Sequence, residues 1–148
     1  MRGGVSAYTT SVILGVAGRT RFAMRYEANE QPVSETWLQL DEIERVERVM
    51  DYHRRTRVKL ANPKLHAMTH VVVENQLALG DATPVPTTLE RLMDEGLDRH
   101  EAIHAIGSIL MPIMFDAVRN DDGGGDINAK YSRELATLTA VGWRSGVE

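Results

Sequence analysis

Asp98-Arg99-His100-Glu101-Ala102-Ile103-His104 is the stretch that decides how the rest of the chain reads. Asp98 can cap a helix, and Glu101 stands at that helix's third position, so the two can close a capping box. The same residues hold His-Glu-x-x-His, in which histidines four apart share a helix face and can grip one metal ion. His66 and His70 repeat that spacing, and Glu74 extends their row by one turn. The two pairs hold four of the chain's five histidines. The expected fold is mainly α: a small helical bundle with a short N-terminal β-hairpin.

Downstream of the motif, Ile103, Ile106, Ile109, Leu110, Ile113, Met114 and Val118 continue the helical pattern. Gly107 permits close approach of another helix. Pro112 cannot donate to the carbonyl of Ser108, so a kink is expected. The Asn120–Asp126 segment is an acidic, glycine-rich linker whose spacing does not fit a calcium loop. A final amphipathic helix is expected at about 129–141.

Upstream, Asn62-Pro63 is a helix start, with Asn at the cap and Pro at the first helical position. That helix should run to about Leu79, where Gly80 stops it. Its seam carries His66, His70, Val73, Glu74 and Leu77. The segment 81–86 reads as a loop, Thr87 to Glu90 as a capping box opening a short helix, and Gly96 as its end. A further helix is expected from Asp41 to about Arg55, with Glu44 completing its box. Its apolar row of Leu40, Ile43, Val46, Val49 and Met50 ends in His53, which must point inward. His53 is then either a hydrogen-bonded core histidine or an additional ligand.

Residues 1–32 read as extended, with Tyr8–Val16 and Arg21–Tyr26 as strands of a hairpin turning at Ala17-Gly18-Arg19. The chain is therefore expected to be one domain, 1–148. An extended segment (1–32) leads into a helical metal-binding core (37–119), and a linker with a C-terminal helix (120–148) follows.

The 148 residues are 43% hydrophobic and 26% charged, which is ordinary for a globular domain. A formal net charge of −4 gives no general attraction to nucleic acid or anionic membranes. Arg45, Arg48, Arg54, Arg55 and Arg57 form a local basic run, read as solvated surface in preference to a phosphate contact. The apolar stretch Ser11–Ala17 is too short to span a bilayer and lacks the layout of a signal peptide, so a soluble, cytoplasmic, bacterial protein is expected. A homodimer through the N-terminal hairpin or the C-terminal helix is the expected assembly. The chain has no cysteine, so any metal must be held by imidazole and carboxylate.

The expected ligands are His66, His70, Glu74, His100 and His104, with His53 as an addition and Asn75 and Gln76 as outer orienters. Zn2+ is the first expectation for the ion and Fe the next. With zinc, an open position would hold a water of lowered pKa and Glu101 would take its proton, giving a metal-dependent hydrolase. Glu101 has a second reading, as a mere member of the capping box with Asp98. No histidine follows His104, where zinc peptidases usually find their third ligand. Two further readings are a non-catalytic interaction module with a structural metal, and an iron- or oxygen-handling helical protein. No substrate is legible.

From Trp37 to about Arg119 the sequence resembles a family of small bacterial proteins catalogued as a domain of unknown function. The likeness is carried by Tyr52-His53-Arg54, Asn62-Pro63, Leu65-His66, His70, Val73-Glu74-Asn75-Gln76 and Leu97 through Gly107. The resemblance supports a helical core and implies no reaction.

Overall fold

A computed structural model describes residues 24–120 and 125–146. Among these residues the chain forms seven α-helices, here α1 (Ser34–Gln39), α2 (Glu42–Arg55), α3 (Pro63–Ala78), α4 (Val85–Asp94), α5 (Arg99–Arg119), α6 (Ile127–Thr137) and α7 (Ala140–Gly146), with a 3-10 turn at Gly80–Ala82.

The caps form where the sequence places them. Both bonds of the Asp41–Glu44 box are present, as are both bonds of the Asp98–Glu101 box. The Asn62 side chain accepts from Leu65 N at 3.1 Å, ahead of Pro63. At the other ends, Gly80 and Gly96 take positive φ, 65° and 109°, which residues with a Cβ rarely adopt. Elsewhere the boundaries shift. Helix α4 begins at Val85 with no side-chain cap, and the Thr87 and Thr88 hydroxyls donate back to the carbonyl of Pro84. The expected final helix is two helices, parted at Leu138 and Thr139.

The expectation of an N-terminal β-hairpin is corrected: the described residues contain no strand. Most of the hairpin's span lies outside the described residues. Its last residues, Met24 to Tyr26, are irregular backbone. Tyr26 is buried against Trp37, Tyr52 and His70, so an aromatic cluster and not a sheet takes up its apolar ring. Trp37 anchors the unexpected helix α1, being fully buried and donating through Nε1 to Asn75 Oδ1 at 2.8 Å.

Helix α3 is the hub, packed against α1, α2, α4 and α5. One apolar cluster fills the space among α3, α4, α5, α6 and α7, through Val73, Leu77, Leu89, Leu92, Ile103, Ile106 and Leu135. A second joins Tyr26, Trp37, Leu40, Val49, Tyr52 and Val71. The histidines lie on the faces of α2, α3 and α5 that meet between the two clusters. Helix α5 is long and apolar enough to cross a membrane by length and composition, yet its first four turns carry core residues from Ala102 to Ile113. Two members of the basic run are tied into the fold. Arg45 bonds the carbonyls of Trp37 and Leu38 and the Asn75 side chain. Arg55 bonds Asp51, Glu27 and the carbonyl of Tyr26.

Gly107 sits where α5 meets α3, and a Cβ there would fall 2.6 Å from Thr69 Cγ2. Thr69 is a stiff, β-branched side chain whose hydroxyl already donates to the carbonyl of Leu65 at 3.0 Å. Gly107→Ala is therefore expected to destabilise the fold by about 1–3 kcal/mol, although alanine favours a helix by about 1 kcal/mol over glycine. A denaturant midpoint at or above that of the parent protein would show that the helices separate without cost.

Candidate metal centre

Five histidines from three helices converge: His53 on α2, His66 and His70 on α3, His100 and His104 on α5. One ring nitrogen from each lies within 4.8 Å of all the others. Whole helical turns put the two i,i+4 pairs side by side, and the packing of α2 and α5 on α3 does the rest.

The Nε2 atoms of His66, His70 and His104 form a triangle with edges of 3.2, 2.9 and 3.1 Å. Each neutral imidazole carries one proton, and hydrogen bonds along all three edges would need a donor and an acceptor on every edge. No placement of protons supplies them. Two nitrogens at right angles and about 2.1 Å from one ion stand about 3.0 Å apart, so the triangle has the dimensions of a shared ion.

The rings follow an ordered arrangement. His70 is central, with ring centroids 4.8 Å from His53, 4.9 Å from His66, 5.1 Å from His100 and 4.9 Å from His104. The other four close a cycle around it: His53–His66 4.7 Å, His66–His104 4.8 Å, His104–His100 4.3 Å and His100–His53 5.6 Å. This is the neighbour pattern of a square pyramid with His70 at the apex and the other four at its base.

Buried partners fix the tautomers. His53 Nδ1 lies 2.9 Å from the carbonyl of Val49, which can only accept, so Nδ1 holds the proton and Nε2 carries a lone pair. His53 Nε2 and His100 Nε2 are both buried without a hydrogen-bond partner. Tyr26 gives its single proton to Glu74 Oε1 at 2.7 Å. Its oxygen can therefore only accept from His70 Nδ1, 3.1 Å away, which leaves the lone pair of His70 at Nε2 inside the triangle. Glu74 is in turn clasped by Arg99 through two bonds of 2.8 Å, and both side chains are buried. Orienting a ligating imidazole through its second nitrogen is the usual outer support of a metal site.

The remaining expected site residues lie as follows. Glu74 is directed to Tyr26 and Arg99, one turn past the cluster, and is not among the converging ligand atoms. Glu101 Oε2 accepts from Asp98 N at 2.9 Å and lies 3.4 Å from Arg144, at the exposed start of α5. Asn75 bonds Trp37 and Arg45, and Gln76 accepts from Tyr131 at 2.9 Å, so both amides brace the fold away from the imidazoles. His53, read as either core or ligand, belongs to the group. Tyr26 and Arg99 were not read as site residues. Arg99 did carry a signal: a cation at the first position of a helix opposes the helix dipole, so it needs a carboxylate nearby.

Burial, followed by the mutual repulsion of the rings, holds the imidazoles neutral. His66 is lowered to about 4 and His104 to about 3, while His70, His53 and His100 are also pushed below the ordinary histidine range. Tyr26 is pushed up by burial and by Glu74, which keeps its proton in place.

Below about pH 6.5 the unfolded chain takes up histidine protons that the fold refuses, so metal-free protein must lose stability as pH falls from there toward the folded values. The urea midpoint of chelator-treated protein is expected to be lower at about pH 5.5 than at about 7.5, a window above most carboxylate titration. An unchanged midpoint would mean that the rings are accessible to protons.

No curated protein and no solved structure matches the chain. A family model does match residues 36–132, which hold all five histidines and both members of the Glu74–Arg99 pair. The chain belongs to that family, described as a domain of unknown function (DUF1841).

Proposed function

We propose that the domain binds one divalent first-row transition-metal ion through the five imidazoles, with a single further position for water or a small ligand. The observation that carries this reading is the convergence of five ring nitrogens within 4.8 Å, two of them buried and unbonded. Nitrogens on opposite sides of one ion stand about 4.2 Å apart, so a group spread over up to 4.8 Å needs a contraction of up to about 0.6 Å to close on it.

Zinc, the ion the His-Glu-x-x-His motif suggests first, ordinarily takes four ligands. Five imidazoles and one further position suit an ion that takes six, and iron(II) is the better match of the two. The hydrolytic form of the proposal rests on a metal-bound water at the remaining position. Its base would not be Glu101, whose carboxylate is engaged by the Asp98 amide and by Arg144.

Elemental analysis of protein purified without a His tag tests the proposal. About one equivalent of a first-row metal is expected, falling at least tenfold in His70→Ala. Glu101→Gln should keep its metal, since its amide oxygen can still accept from Asp98. Protein that holds none of iron, zinc, nickel or cobalt after loading would overturn the reading. Loss of a hydrolytic activity in metal-replete Glu101→Gln would return that carboxylate to the mechanism.

Tyr26→Phe removes the acceptor that orients His70 and leaves the Glu74–Arg99 pair intact. Metal affinity is expected to fall about 10–100-fold, with helix content unchanged by circular dichroism. Unchanged affinity would show that His70 holds its tautomer without help.

A further inference from the structure

We infer that His53 and His100 decide which ion the centre keeps. His66, His70 and His104 suffice to hold a metal, and the two added imidazoles turn the preference from four-coordinate zinc toward ions that take five or six ligands. This deepens the metal reading above and rests on it.

The triangle of His66, His70 and His104 is already a three-nitrogen site, built by α3 and α5 alone. Three protein ligands and a water make a complete zinc shell. The spacing, however, is not that of a tetrahedron. Nitrogens at the tetrahedral angle and about 2.0–2.1 Å from one ion stand about 3.3–3.4 Å apart. The three edges, at 2.9, 3.1 and 3.2 Å, are all shorter and lie on either side of the right-angled spacing of about 3.0 Å.

His53 and His100 extend that triangle in directions a tetrahedral ion cannot use. Both belong to the converging group, and each carries a buried Nε2 without a hydrogen-bond partner. In the cycle of four rings around His70, His53 stands across from His104, and His100 across from His66. No two ligands of a tetrahedron lie on opposite sides of the ion. Zinc held that way by the triangle leaves both added lone pairs unmet, and a buried acceptor without a donor or cation is costly. An ion with five or six ligands meets both. The penalty falls on four-coordinate zinc and opposes the general order of affinities, in which zinc exceeds iron(II).

The direction of the His53 ring is set within its own helix. Its Nδ1 lies 2.9 Å from the carbonyl of Val49, one turn back along α2. Helix α2 thus brings a fixed donor to a pair of helices that already hold three.

The test compares the full, untagged chain with its His53→Leu/His100→Leu double variant, which keeps the triangle and replaces two lone pairs by apolar groups. Dissociation constants for zinc and iron(II) are measured by chelator competition without oxygen. Iron(II) affinity is expected to fall at least a hundredfold in the variant and zinc affinity less than tenfold, so the ratio moves at least tenfold toward zinc. Cobalt(II) should report the same change of shell, with the weak visible bands of five or six ligands in the parent and the intense bands of four in the variant. An unmoved ratio, or four-coordinate cobalt in the parent, would overturn the inference with metal still bound. So would a folded double variant that takes up neither zinc nor iron. Should circular dichroism show the double variant unfolded, each single variant is expected to move the ratio at least threefold in the same direction, and an unmoved ratio in both would overturn the inference. Parent protein that takes up no cobalt, iron, nickel or zinc would remove the metal reading, and this inference with it.

Discussion

Burying five neutral imidazoles against one another is the constraint on which the structure depends. Each ring brings a nitrogen lone pair that needs a donor or a cation, and the fold supplies donors for only part of them. Outside the cluster, partners are chosen with care: Val49 takes the proton of His53, and Tyr26 takes that of His70. Inside, the nitrogens face each other at 2.9–3.2 Å or face nothing. A hydrogen-bonded core would show the reverse, with inner atoms paired to one another by complementary protons. The pattern is one that could hold a metal ion.

Burying and orienting the five rings has a structural cost that the rest of the fold offsets. The line from His70 through Tyr26 to Glu74 ends on Arg99, a buried guanidinium on the first turn of α5. Burial opposes the charge on Arg99, and the hydrogen bonds and charge of Glu74 outweigh it, raising its pKa. A buried pair of this kind is weak evidence for stability as such. Its evident effect is geometric: it ties α3 to α5 at the level of the imidazoles and fixes the ring of His70. Arg99 also reaches the carbonyl of Ala28, so the segment that carries Tyr26 is held by the same group.

Much of this was legible in the sequence because it depends on local chemistry. Cap residues and helical spacing located α2, α3 and α5, and the doubled His-x-x-x-His spacing named four members of the cluster. What was not legible depends on contacts between distant segments. Spacing put His53 on an inward face without saying what it would meet there. Glu74 continued the histidine row by sequence, yet a further turn along α3 carries it past the cluster to Arg99. Alternation around Tyr26 read as a strand, while the ring is taken up by Trp37, Tyr52 and His70, residues 11 to 44 positions away in the chain. Glu101 satisfied two motifs at once, and the backbone amide of Asp98 took it.

The most direct measurement is X-ray absorption spectroscopy at the metal edge of the loaded, untagged protein. The account predicts a first shell of about five nitrogens near 2.1 Å with the outer-shell scattering of imidazole. A shell of oxygens, or one with imidazole from only one or two histidines, would contradict it.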